Sequence, residues 1–294
     1  MRIYLLLMLA LLIVSSASAL PEVSSQSIDT TVSGADTANM VGTNVAAVDG
    51  DGAALSQSVS QVADATTATQ DASNSATASS DSVSLGQSTV QASIGDSSTQ
   101  DATNEADISG DDGALAQSVA QTAASDSSSV QTASNNGNIN GENSAIGQGI
   151  SQGASGAVTH QTSGNLAGAD GNGAAVSQFI AQSGVAGDEA VQTGANMANT
   201  LGNDVYVGQA ASASATGDDV VQTLDNLAFL GGDDSAVAQY SATGAIAESQ
   251  ATQNQRNWAT YFPTSEGGSL AQAALGSAVA DDVSQIKQNL VIVI

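Results

Sequence analysis

The chain of 294 residues contains 29 acidic residues against three basic ones, which gives a formal net charge of −26, and it has no cysteine. This surface lacks the basic patch that binding to nucleic acid or anionic lipid requires, and disulfides cannot stabilise the fold. Aromatic residues make up only 3% of the chain, so a conventional core of large apolar side chains is excluded as well.

The N-terminal segment is typical of a secretory signal peptide. Arg2 provides a positive start, residues 5–14 form a short apolar run, and residues 17–19 form a small-residue cleavage site. We therefore expect residues 1–19 to be removed and residues 20–294 to be secreted as a single repetitive β domain. Because the apolar run is short and no later run matches it, we expect no membrane span after cleavage. An uncleaved anchor is the alternative.

From residue 26 onwards the chain repeats itself. An aliphatic residue two positions before a glutamine recurs at intervals of 30 or 31 residues, with a last interval of 33. Gln26 extends this series backward from Gln57, Gln87, Gln117, Gln148, Gln178, Gln209, Gln239 and Gln272. The composition alone is typical of disorder, but repetition at a fixed interval predicts an ordered array.

Each unit also carries a second motif, Gln-x-x-x-Asn, 13 or 14 residues after the first glutamine. The first unit has Met40 and Asn44 in this place. The later units carry Gln70 and Asn74, Gln100 and Asn104, Gln131 and Asn135, Gln161 and Asn165, Gln192 and Asn196, Gln222 and Asn226, Gln253 and Asn257, and Gln285 and Asn289. Together the two motifs define about nine repeats over residues 26–289.

The repeat unit has the period of a β-strand. Leu55, Gln57, Val59 and Gln61 recur at every second position and so share one strand face, while acids and glycines mark the turns between strands. We predict an all-β fold, a repetitive β-solenoid with two strands in each 30-residue rung and inward amides stacked into ladders. A longer period of about 60 residues leaves stacked antiparallel hairpins as the alternative.

Acidic residues near the predicted turns are the only candidate metal ligands. They are Asp49, Asp51, Asp111, Asp112, Asp233 and Asp234. Stacked carboxylates repel each other, and calcium would relieve that repulsion, but their spacing matches neither the calcium-binding nonapeptide of β-rolls nor a helix-loop-helix calcium loop. Solvated negative edges are therefore the default interpretation, with structural calcium as the only cofactor considered.

A catalytic function has little support in the sequence. His160 is the only histidine, and it lies within an ordinary repeat, so neither a catalytic triad nor a histidine-based metal site is available. We predict that the protein is not an enzyme.

Two segments near the C-terminus break the repeat. Residues 257–263 form an aromatic insert, which we interpret either as a cap or as a contact for a neighbouring subunit or a glycan. Residues 290–294 are the strongest β-former after the signal segment, and we favour a docking strand over a strand buried within its own subunit. The predicted assembly contacts are Trp258, Tyr261, Phe262, Leu290, Val291, Ile292, Val293 and Ile294.

Inward Gln and Asn in a secreted, Ser/Gly/Ala-rich β-repeat are similar to those of curlin-type functional amyloids, although the offset here, as from Gln192 to Asn196, differs from the curlin spacing. The overall acidic, cysteine-free, signal-bearing profile resembles the major sheath proteins of filamentous methanogenic archaea. This resemblance implies self-assembly into an amyloid-like tubular envelope that resists proteases and denaturants.

We therefore expect a secreted structural protein of the extracellular cell envelope, a sheath or fibre whose main partner is the chain itself. Other envelope proteins or glycans are further candidate partners, and nucleic acid is not. The alternative function is an extracellular adhesin, a solenoid module that binds glycan or calcium.

Overall fold

The computed structural model describes residues 6–7, 23–49, 52–79, 81–262 and 268–293. Within these residues every regular element is a β-strand, and all pairings are parallel within one sheet. The strands are β1 (Leu6–Leu7), β2 (Val23–Val48), β3 (Ala54–Ser79), β4 (Ser84–Ser109), β5 (Ala114–Asn140), β6 (Ala145–Asp170), β7 (Ala175–Leu201), β8 (Tyr206–Gly231), β9 (Ser235–Phe262), β10 (Gly268–Val279) and β11 (Asp282–Val293). The described part of the chain has no helix that is long and apolar enough to cross a membrane.

Each long strand is one complete turn of a solenoid. In β3 every second residue from Leu55 to Ala65 is buried, the alternation breaks at residues 66–67, and it resumes from Ala68 to Ala78. The break is an arc at which the chain reverses direction, so each turn consists of a first half, arm A, and a second half, arm B. Gln57 Nε2 donates to the carbonyl oxygen of Ser75 across the turn at 3.1 Å, which shows that the two arms face each other.

Successive turns stack in register. Gln57 of β3 lies beside Gln87 of β4 on arm A, and Asn74 lies beside Asn104 on arm B. β2 to β9 supply eight turns, and β10 with β11 forms the ninth, which we call the terminal turn. The predicted β-solenoid is confirmed, and the antiparallel hairpin alternative is wrong because adjacent turns pair in parallel.

The alternation between 30 and 31 residues originates in the arcs. β5 contains 27 residues and β4 contains 26. Their pairing is interrupted at the arc, where one residue of β4, between Gly95 and Ser97, and two residues of β5 have no partner in the ladder. Neighbouring turns therefore differ in arc length while their arms remain equivalent. This difference contributes to the longer period in the sequence.

The interior is layered along each turn. A cluster that includes Leu55, Leu85, Ile108 and Ile139 fills the end nearest the connecting loops, whereas mostly small residues such as Ala63 fill the arc end. Between these ends the interior consists largely of buried glutamines and asparagines. The fold therefore depends on hydrogen bonds between amides where a larger apolar core would otherwise be needed.

The connecting loops stack as closely as the strands do. The Gly171 amide donates to the Leu201 carbonyl at 2.8 Å, and the Gly202 amide donates to the Gly231 carbonyl at 2.9 Å. Gly202 has φ +144°, and a Cβ there would lie 2.1 Å from the Gly171 carbonyl oxygen. Only glycine permits this approach, which explains why glycines recur at this place in the loops.

Candidate functional site

The Gln57 ladder runs through all nine turns. In each of its eight steps the Nε2 of a glutamine donates to the Oε1 of the glutamine on the preceding turn, at 2.6–3.0 Å. The same Nε2 also donates to a backbone carbonyl of arm B, as Gln57 does to Ser75. Both amide hydrogens are therefore used, which removes the cost of burying the group. The members are Gln26, Gln57, Gln87, Gln117, Gln148, Gln178, Gln209, Gln239 and Gln272.

The Asn74 ladder runs in the opposite sense. Each Nδ2 donates to the Oδ1 of the asparagine on the following turn, at 2.8–2.9 Å, over eight steps from Asn44 to Asn289. Asn74 Nδ2 also donates to the carbonyl of Ser88 in arm A of the next turn at 3.0 Å. The members are Asn44, Asn74, Asn104, Asn135, Asn165, Asn196, Asn226, Asn257 and Asn289.

The Gln70 ladder occupies arm B nearer the arc. Seven steps from Gln70 to Gln285 have donor–acceptor distances of 2.7–2.9 Å, and each donates to the preceding turn. Met40 takes the place of an amide in the first turn. All the glutamines and asparagines predicted as ladder residues thus lie in three continuous columns, buried up to β9 and partly exposed in the terminal turn.

A fourth column, the Gln61 ladder, was missing from the predicted set. Its steps measure 2.8–3.0 Å and its members are Gln61, Gln91, Gln121, Gln152 and Gln182. The sequence signal is Gln-x-x-x-Gln in arm A, as in Gln57 and Gln61. The ladder ends because Ala213 follows Gln182 in register, and the buried Gln182 Oε1 has no hydrogen-bond partner.

The candidate calcium ligands are dispersed along the loops. Asp111, Asp112, Asp233 and Asp234 lie in connecting loops and Asp49 follows β2, while Asp51 lies outside the described residues. Asp111 Oδ1 accepts a hydrogen bond of 2.8 Å from the backbone amide of Glu142, so it joins one loop to the next. Within the described ranges no three His, Cys, Asp or Glu side chains converge as metal ligands would.

The aromatic segment lies within a regular strand. Residues 257–262 remain in register with β8; Trp258 and Phe262 point outward, and Tyr261 packs partly buried against the apolar core. The two additional residues of this repeat fall after Phe262, among positions 263–267, which lie outside the described residues together with Ile294.

The terminal turn is open on its outer side. Val283, Val291 and Val293 occupy positions that are interior in the preceding turns, yet they are 48%, 46% and 64% exposed. β11 pairs with β9 along one edge, and no described strand pairs with its other edge. At the opposite end of the stack, β1 pairs with β2 at Asn39 and Met40.

Charge is segregated between the outer faces of the two arms. The arm B face carries Asp71, Asp101, Glu105 and Asp107 on adjacent turns. The pKa of Asp101 is raised, first by its partial burial and then by the nearby charge of Asp71. The outer face of arm A is different. From β4 to β10 its residues, all described, include no charged side chain: 84–95, 114–125, 145–156, 175–186, 206–217, 235–247 and 268–279.

Two ion pairs lie on the arm B side. Arg256 Nε donates to Asp225 Oδ1 at 2.7 Å, and this hydrogen bond, together with the Asp225 charge, raises the pKa of Arg256, which keeps it protonated. His160 Nε2 lies 3.9 Å from Glu189 Oε2, with both side chains about half exposed.

Comparison with protein-family profiles, curated proteins and solved structures gives no match to this chain.

Proposed function

We propose that this protein is a secreted structural protein whose copies stack end to end into an amyloid-like fibre or sheath of the cell envelope. The observation that carries this proposal is the open terminal turn. Its interior side chains are half exposed and one strand edge is unpaired among the described residues, which is the arrangement that promotes addition of further strands.

The polarity of the ladders supports head-to-tail addition. Glutamines donate towards the preceding turn, so Gln272 would receive a hydrogen bond from Gln26 of an added copy. Asparagines donate towards the following turn, so Asn289 would donate to the added Asn44. Because each ladder keeps one donor direction along the whole stack, both continue across such a junction. A tail-to-tail contact would place Gln272 acceptors on each other and Asn289 donors on each other, so neither ladder would continue.

Side-chain sizes at the two ends are complementary. Ala274 and Gly276 of the terminal turn occupy the columns in which the first turn has Ile28 and Thr30. Large side chains would therefore lie over small ones. Met40 cannot continue the Gln70 ladder, so a junction between copies should be weaker than the contact between turns of one copy.

Export and an envelope location are proposed from the signal-like residues 1–19 and from the acidic surface, which favours solubility before assembly. The resemblance to archaeal sheath proteins and curlin-type amyloids favours the same location.

The test places a second charge in the proposed junction, where Lys287 already lies in the column of Gln255 and its Nζ donates to the Gly276 carbonyl at 3.2 Å. Val291 lies in an interior column of the terminal turn and is about half exposed there. An arginine at this position should therefore be tolerated in an isolated chain, whereas an added copy would bury its charge. Gln288→Arg, outward on the same strand, is the matched control. Electron microscopy should show filaments of the unsubstituted chain and of the control, but none of Val291→Arg. Fibre diffraction of these filaments should contain a reflection at about 4.8 Å. A chain that stays monomeric at every concentration would refute end-to-end assembly.

A further inference from the structure

The uncharged outer face of arm A, from β4 to β10, is unusual in a chain with a net charge of −26. The acids that follow these arms lie in the arcs, and those of the loops lie at the other end, so both ends of the face are charged while the face is not. Copies of this chain repel each other at most surfaces, and this face is the place where that repulsion is weakest.

The face is also large and carries apolar side chains. Phe179, Tyr206, Tyr240 and Leu275 point outward from it and are 48%, 58%, 42% and 57% exposed. Seven turns of about 4.8 Å and eleven residues of about 3.3 Å per arm give roughly 1,200 Å². A stable contact between two proteins buries about 800 Å² on each partner, so the face suffices for one.

We propose that the arm A faces of two copies pack against each other, as two sheets do in a β-sandwich, with the two stacks running in opposite directions. This contact is lateral, so it is separate from the end-to-end junction and does not depend on it. The occupant is a second copy because the face is uncharged and regular, so two copies meet there without the charge repulsion of their other surfaces, and its area suffices for such a contact.

The opposite direction of the two stacks follows from side-chain size. Most of the bulky residues lie on β7 to β10, as at Phe179, Tyr206, Tyr240 and Leu275, and Val90 and Ile94 lie on β4, whereas β5 and β6 present mainly Gly, Ala and Ser on this face. A two-fold axis that lies between the two faces and runs parallel to β7 places Tyr206 over β6 and Tyr240 over β5. A parallel arrangement would instead place bulky residues on each other and leave gaps between the small ones.

Cysteine cross-linking tests this arrangement cleanly because the chain has no cysteine of its own. Ala181→Cys lies beside the proposed axis and should form covalent dimers by itself under mild oxidation. Ala120→Cys and Ala242→Cys lie in the same column as Ala181, two turns to either side of the axis, so each should fail alone and react when the two variants are mixed. Thr193→Cys, outward on arm B of β7, is the control that should not react.

Val291→Arg chains, which should not stack, allow the lateral contact to be measured separately by sedimentation. Their dimer should dissociate at least about tenfold more readily when Ser151→Glu and Ala181→Glu place charges on the face. The same charges at Thr162 and Thr193 on arm B should have no such effect. Circular dichroism should show unchanged β-structure in both variants.

Three results would overturn the lateral contact while leaving end-to-end assembly standing. The first is equal cross-linking of Ala120→Cys alone and of the mixture, which indicates parallel stacks. The second is a monomer that forms no cross-link at any position. The third is binding of the face to neutral phosphatidylcholine vesicles or to crystalline polysaccharide without cross-linking, which would assign it to a foreign surface.

Discussion

At the scale of single residues, the buried amides replace the apolar side chains that the composition lacks. Each interior member of the Gln57 ladder joins three partners, two along the stack and one across the turn, as Gln148 does with Gln117, Gln178 and the carbonyl of Leu166. An amide in this position is costly to remove because its neighbours stay buried.

Gln148→Leu tests that cost. The substitution keeps the volume but leaves the Gln117 oxygen without its donor and a Gln178 hydrogen without its acceptor, so the free energy of unfolding should fall by about 2–4 kcal/mol. Urea unfolding followed by circular dichroism measures the change. Ser151→Leu, outward on the same arm, should alter the stability by less than about 0.5 kcal/mol. Equal effects of the two substitutions would contradict a stabilising role for the ladder.

The sequence predicts three of the four ladders, because their residues recur in nearly every repeat. The Gln61 ladder is harder to recognise, since Thr30 precedes it and Ala213 follows it, so only five consecutive turns show the amide. A column of this kind becomes visible only when the residues of all turns are aligned by their register.

At the scale of the turn, the geometry of the connecting loops is the strictest requirement. Gly202 lies where a Cβ would contact a backbone carbonyl, whereas Gly173 (φ +73°) lies at a left-handed position that Asn143 (φ 54°) and Asp204 (φ 58°) also adopt in their loops. The geometry therefore constrains two glycines in similar loops to different degrees.

Gly202→Ala should lower the free energy of unfolding by about 2 kcal/mol or more, because the methyl group forces adjacent loops apart. Gly173→Asn is the matched variant and should change stability by less than about 0.5 kcal/mol, because asparagine tolerates the left-handed conformation. Midpoints of urea unfolding compare the two. A Gly173→Asn variant as unstable as Gly202→Ala would show that backbone approach is not the deciding factor.

The direction of strand pairing could not be predicted at this scale. The inward pattern of Leu55, Gln57 and Val59 is the same in a parallel stack and in an antiparallel hairpin. The arc decides between them, because it turns the chain to the opposite side of the solenoid and prevents arm B from pairing with its own arm A. Arc residues such as Thr66 and Thr67 carry no pattern that indicates this.

At the scale of the whole molecule, the two ends of the stack are not equivalent. No described strand pairs with the outer edge of the terminal turn, whereas the outer edge of β2 pairs with Leu6–Leu7 at Asn39 and Met40. By register, these are the positions at which Ser284 and Gln285 of another copy would pair during end-to-end stacking. Residues 6–7 therefore occupy part of the proposed junction, and removal of the signal-like residues 1–19 would expose an edge for assembly.

A chain that begins at Leu20 should polymerise more readily than the chain of 294 residues. Because two paired strand residues contribute about 1 kcal/mol, the critical concentration should fall about fivefold when they are removed. Light scattering over a concentration series measures that value. The chain of 294 residues with Leu6→Pro and Leu7→Pro separates the effect of strand pairing from the effect of chain length, because proline disrupts the pairing while residues 1–19 remain. If this variant assembles like the unsubstituted chain of 294 residues, blocking by β1 is excluded. Any remaining difference from the chain that begins at Leu20 then reflects the bulk of residues 1–19.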